Sequence, residues 1–217
     1  MSSSSWPPAS TAAPPPPTAP ASGSRSLEVI ADCTADAGWG GRVIVGHAGA
    51  LSAYDHTHAV DVMRRLRAAG VAICTNPQIS LTLMGREDRG LIRRGTTRIN
   101  ELMATGVRVI AAQDDVDDPY YPFGIPSQLE VAKYTAHVAH LVHPAGLEQV
   151  MDMVTSEAAA AVRLDGYGLE PGCRADLVVL DVDRVSEALR LAPAPRWVVH
   201  GGRPVARSET TTWLAPA

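Results

Sequence analysis

The chain has 217 residues, 46% of them hydrophobic, with 19 basic against 23 acidic side chains, a formal charge of -4 and a pI near 5.9. That balance excludes a polyanion binder of the usual kind, because nucleic acid or an anionic membrane calls for clustered Lys and Arg, and Lys133 is the only lysine. No apolar run approaches the roughly 20 residues that span a bilayer, and three scattered cysteines (Cys33, Cys74, Cys173) without CxxC spacing point to reduced thiols and a cytoplasmic setting.

Residues 1–25, rich in Ser, Pro and Ala, have almost nothing to bury and too much proline for helix or sheet, so disorder is expected there. From Leu27 the texture changes. LEVIADCTADAG carries helical spacing and stops at Gly38, and RVIVGH is a short β-branched strand ending at His47. HAVDVMRRLRAAG puts Ala59, Val62, Met63 and Leu66 on one face of a helix that stops at Gly70. VAICTNP is a second strand closed by Asn76–Pro77, and QISLTLMGREDRGLIRRG reads as a long functional loop. TTRINELMATG is a helix ending at Gly106, VRVIAAQDD a third strand, and SQLEVAKYTAHVAHLV and LEQVMDMVTSEAAAAVRL two further helices. Strands and helices in alternation, the strands nearly all apolar, predict an α/β fold with parallel strands covered on both faces. Beyond Gly166 the pattern becomes β: a strand over Leu177–Asp181 and a hairpin in RWVVHGGRPVAR. The expected organisation is therefore a tail over 1–25, an α/β unit over 26–165 and a β segment over 166–217.

In parallel α/β folds the chemistry gathers at the carboxyl ends of the strands. Those ends carry His47, Asn76–Pro77 and Asp114–Asp115. The last belongs to VRVIAAQDDVDDPYYPFG, where four aspartates crowd the end of a buried strand, a charge density that asks for a cation or a substrate. A histidine and a carboxylate at neighbouring strand ends can reach one metal ion or one activated water. Asp117 and Asp118 are read differently, as the makers of an Asx-type turn before Pro119.

GHAGALSAYD, TNPQISLTLMGREDRG, RRGTTRINELMATGV and DDVDDPYYPFG, in that order, resemble the C-terminal half of cytosine deaminase and its relatives in the amidohydrolase superfamily. YGLEPGCRADLVVLDVD resembles the superfamily's ending, where a small β-sandwich is completed. The resemblance implies part of a (β/α)8 TIM barrel, its last three or so βα units, and a metal-dependent hydrolase of carbon–nitrogen bonds in cyclic amidines or pyrimidine bases. It implies one divalent ion, iron or zinc, which can lower the pKa of bound water to about 7. By the same resemblance Asp114 is the metal-binding aspartate and accepts the proton of the bound water. His47 hydrogen-bonds the hydroxide and the tetrahedral centre, Asp115 lines the pyrimidine pocket, and Tyr120 lies against the substrate. Gln113 departs from the histidine expected before the aspartate.

Two motifs of the family, an HxH pair on its first strand and a later His with a catalytic Glu, have no counterpart in this chain. The triplet His56–Thr57–His58 follows no apolar strand and opens a helix, so its side chains do not point inward with period two. His137, His140 and His143 read as helical surface or packing residues, and His200 as a structural one. A catalytic zinc or iron site takes three or more protein ligands, and this chain supplies fewer. Three readings stay open: a deaminase of the cytosine type whose missing N-terminal half is supplied from elsewhere, an inactive or partner-binding remnant, and a triazine- or guanidine-type aminohydrolase. A homo-oligomer is also compatible with the resemblance.

Overall fold

Three short apolar runs assemble into one parallel sheet: β1 (Ile44–Gly46), β2 (Ala72–Thr75) and β3 (Val109–Ala111), in the order β1-β2-β3. The computed structural model describes residues 25–86, 95–211 and 213–214. The expected disorder of 1–25 lies almost wholly outside that range. In register, Gly46 stands beside Cys74, and Cys74 beside Ile110, so successive residues alternate between two faces.

The two faces are covered unequally. One face presents Ile73, Val109 and Ala111 to the main core, built from α2 (His56–Ala68), α4 (Ile99–Thr105), α5 (Gln128–Val138) and α6 (Pro144–Val154), with α1 (Ser26–Asp36) packed outside α2. Val62, Met63 and Leu66 of α2, Leu102 of α4, and Val131 and Val150 are fully buried there. Among the described residues the other face holds a small cluster, Ala72 and Ile110 against Ala161 of α7 (Ser156–Ala161), and Ile44 stays 37% exposed. Coverage on both faces, expected from the apolar strands, therefore holds fully for one face only. Apolar sequence says that a strand face can be buried, not which neighbour buries it.

Further boundaries differ from the sequence reading. The segment after Asn76 opens as a helix, α3 (Pro77–Leu83), with proline at its first position, where the missing N–H costs nothing. Of the loop expected over 78–95, residues 84–86 and Gly95 are described as non-helical, and 87–94 lie outside the described residues. The helix expected over Leu147–Leu164 is two helices, broken at Thr155 (φ -127°, ψ -96°), whose hydroxyl donates to the Met151 carbonyl at 2.7 Å and competes with the backbone ladder. Gly106 ends α4 in the left-handed conformation (φ 84°), as its position past the last apolar residue predicts.

After α7 the chain forms a second, antiparallel sheet in the order β4-β5-β6: β4 (Leu177–Val179), β5 (Trp197–His200) and β6 (Arg203–Arg207), the last two joined through Gly201–Gly202. Between β4 and β5, α8 (Val185–Leu191) packs back against α5 and α6, and its Leu189 joins the main core. Through α8 the segment beyond Gly166 contributes to the main core. Among the described residues no helix is long and apolar enough to cross a membrane.

Candidate functional site

The carboxyl ends of the parallel strands bring two distant side chains together. His47 follows β1 and Asp114 follows β3, so their backbones stand on either side of β2, about 10 Å apart at two strand spacings. Both lean over the tip of β2, and His47 Nε2 lies 3.1 Å from Asp114 Oδ2. The pair is open to solvent, the side chains being 50% and 34% exposed. Both residues, with Ala48 between β1 and the following turn, take positive φ (62°, 77° and 47°). Non-glycine residues held in that region cost stability, and such strain concentrates at functional sites.

Asn76, at the tip of β2, ties these ends together. Its carboxamide oxygen accepts from the His47 N–H and its NH2 donates to the Ala112 carbonyl, each at 3.3 Å, while the His47 N–H also donates to the Cys74 carbonyl at 2.8 Å. The sequence marks Asn76–Pro77 as a strand tip but assigns the side chain no task. A polar amide closing a buried apolar run was the available signal. Beneath the pair sits Cys74, half-buried, whose thiol is pushed up by burial and by the Asp114 charge, so it stands as a neutral thiol.

The remaining acids divide into two kinds. Asp118 Oδ1 accepts from the Tyr120 and Tyr121 backbone N–H groups, both at 2.8 Å, forming the turn around Pro119. Those two bonds, that from Tyr121 foremost, hold the Asp118 carboxyl below its ordinary range. Asp115 moves the other way, raised by burial, by a hydrogen bond with Asp118 and by the charges of Asp114 and Asp118. Neighbouring carboxyls driven apart in this manner can divide acid and base work between them. Tyr121 is buried, its hydroxyl pushed up to about 12 chiefly by burial. Tyr120, by contrast, is 64% exposed on the same loop, together with Phe123 and Ile125, and touches neither His47 nor Asp114 through a hydrogen bond.

The other histidines are engaged with partners other than His47 and Asp114. His58 Nε2 is 2.9 Å from Glu28 Oε1 on α1, and His56 is 3.5 Å from Glu101 on α4. His143 caps α6 by accepting from the Gly146 N–H, and His200 pairs with Asp176 at 3.0 Å. His140 does not share the helix of His137, since α5 ends at Val138 and His140 turns away with φ 55°. A cavity of about 560 Å³ opens at the opposite, amino-terminal end of the strands, among Val71, Val107, Arg67 and the Arg108–Glu157 ion pair.

The sequence of the chain matches the model of the amidohydrolase family over residues 18–206. The chain belongs to the amidohydrolase family. It is 31% identical over 185 residues to a pterin deaminase of Rhizobium rhizogenes, an alignment covering 84% of this chain and 42% of that protein. Its fold is similar to 5-methylcytosine deaminase from Klebsiella pneumoniae liganded with 5-fluorocytosine, with TM-score 0.85, 33% identity, and coverage of 91% of this chain and 48% of the other. N-isopropylammelide isopropylaminohydrolase from Burkholderia multivorans gives TM-score 0.75 at 31% identity, covering 85% and 44%. The chain thus spans less than half the length of each of these amidohydrolase relatives.

A divalent ion of the sort the resemblance implies finds one suitable carboxylate in Asp114 and one imidazole beside it. Among the described residues no group of three or more His, Cys, Asp or Glu is arranged to hold a metal ion. Two donors fall short of the three a catalytic site needs, so these residues do not by themselves form the metal centre.

Proposed function

We propose that this amidohydrolase chain carries the proton-handling side of a site that hydrolyses carbon–nitrogen bonds, removing an amino or alkylamino group from a nitrogen heterocycle. The observation that carries the reading is the His47–Asp114 contact of 3.1 Å at the strand ends, with both backbones in left-handed conformations. The names of the similar proteins support it, since a pterin deaminase, a 5-methylcytosine deaminase and an N-isopropylammelide isopropylaminohydrolase all release an amine from such a ring. The finer reading is a cyclic amidine or pyrimidine base of the cytosine type, acted on by the last three or so βα units of a (β/α)8 barrel.

The chemistry assigned to this chain's residues is compact. Asp114 takes a proton from the attacking water and returns it to the departing nitrogen, as a carboxylate at a strand end is suited to do. His47 Nε2 donates to the oxygen that becomes the new C–O bond at the tetrahedral centre. Water adds to the ring carbon, the C–N bond breaks, and the amine leaves with the proton Asp114 carried. Asp115, whose carboxyl is raised by burial and by its acidic neighbours, lines the pocket that receives the ring. The exposed Tyr120 stacks on the planar ring, which fits an aromatic at a loop edge.

The incomplete donor set favours a second reading, a chain that is inactive until further ligands reach Asp114. One experiment separates the two. The purified chain, incubated with zinc or iron(II) and desalted, is assayed for bound metal and for ammonia or amine release from pterin, 5-methylcytosine and N-isopropylammelide. Retention of about one equivalent and release that Asp114→Ala and His47→Ala both abolish support the hydrolase. Retention well below one equivalent with no release supports the inactive reading, and release unaffected by Asp114→Ala overturns the proton-carrying role of that aspartate.

A further inference from the structure

The approach of Asp114 to His47 requires the chain to reverse at the end of β3, where Asp114 adopts φ 77°. Two glutamines hold that reversal. Gln113 Nε2 donates to the Asp115 carbonyl at 3.0 Å, bridging over Asp114. Gln113 Oε1 in turn accepts from Gln78 Nε2 at 3.0 Å, and Gln78 lies in the first turn of α3, just past the tip of β2. The two carboxamides run head to tail from a helix to the backbone immediately beyond the candidate catalytic aspartate.

Two further features point at the same spot. Gln78 is 1% exposed and its Oε1 has no hydrogen-bond partner among the described residues. A buried amide with half its groups unsatisfied is a poor choice for packing alone, where leucine or methionine would fill the space without loss. Its Nε2 bond to Gln113 is what distinguishes it from an apolar residue. Gly124 closes on the bridge from the other side: a Cβ there would stand 2.6 Å from the Asp115 carbonyl oxygen and 3.0 Å from Gln113 Nε2. The loop that leaves at Asp115 therefore returns directly onto the Gln113–Asp115 bond, at a point where no side chain fits.

We propose that Gln78 and Gln113 form a two-amide relay that sets the Asp114 carboxylate against His47, both acting as positioning residues. The inference rests on the reading of His47 and Asp114 as the reacting pair, but its geometry can be tested without turnover. With Asp114 accepting from Nε2, the neutral His47 ring is held as the Nε2–H tautomer, which ring-nitrogen NMR shifts report. Assignment uses His47→Gln.

Gln113→Leu keeps the bulk and deletes both bonds. It shifts the His47 ring nitrogens toward those of a free imidazole, while far-UV circular dichroism shows the fold retained. Gln113→His, able to accept from Gln78 and donate to the Asp115 carbonyl, recovers the native signature. An unaltered tautomer signature in folded Gln113→Leu overturns the proposal, as does failure of Gln113→His to recover it. Should Gln113→Leu fail to fold, Gln78→Leu, which spares the Gln113–Asp115 bond, gives a smaller shift in the same direction, and no shift overturns the relay. A changed signature in a protein that never releases amine upholds the relay and removes the hydrolase reading.

Discussion

Replacing Asn76 with aspartate changes one atom of the bridge at the strand tips and reverses its polarity. Native Asn76 is 6% exposed, accepts from the His47 N–H and donates to the Ala112 carbonyl. Aspartate keeps the acceptor, but its second oxygen faces the Ala112 carbonyl oxygen in place of a donor at 3.3 Å. Burial and that facing oxygen both penalise the charged form, and a rise of about 2 units above the ordinary 3.9 is moderate for an acid so placed. At about 1.4 kcal/mol per unit, Asn76→Asp loses about 3 kcal/mol at neutral pH. The introduced carboxyl has a folded pKa above its unfolded one, so the loss is absent below about pH 4, where the acid O–H donates to Ala112. It grows as pH rises to about 6 and is constant beyond. Thermal unfolding followed by circular dichroism at several pH values reads this as a difference from the native chain, about 6–12 °C in Tm at pH 7 for a chain of this size. A variant as stable as the native protein at pH 7, or one equally destabilised at pH 4 and pH 7, refutes the account of Asn76.

Asp115→Asn removes a carboxyl whose pKa is raised in the folded state. The native group favours folding below the unfolded carboxylate pKa and loses that contribution as pH rises through its folded value, so the variant is more stable than the native chain at pH 7 and equal to it or less stable near pH 3, measured by urea midpoints. Gly106→Ala forces a Cβ onto a residue at φ 84°, 3.0 Å from Arg67 Nε, and lowers unfolding stability by about 1–2 kcal/mol. An unchanged urea midpoint for Gly106→Ala would show that the end of α4 relaxes freely.

The turn before Pro119 and the stop of α4 were legible because each is local. Asp118 reaches N–H groups two and three residues on, and Gly106 answers to its own φ. The break at Thr155 was missed although its hydrogen bond is also local, because apolar spacing continues across it and one threonine is weak against that pattern. The helix after Asn76 was missed because QISLTL has no clear helical period. Proline at its first position was the better guide.

The amino-acid sequence by itself determined the alternation of strands and helices, the residue types at the strand ends, and a motif order specific enough to indicate the amidohydrolase family. It named His47 and Asp114, but not the 3.1 Å between them, which exists because β1 and β3 lie on either side of β2 in parallel register. Only the tertiary structure decided that Asn76 bridges two strand tips, that Gln78 and Gln113 meet beside Asp115, and that one sheet face is far better covered than the other. The reason is physical: periodicity and backbone preference act over a few residues. A hydrogen bond between side chains remote in sequence depends on where every intervening element packs.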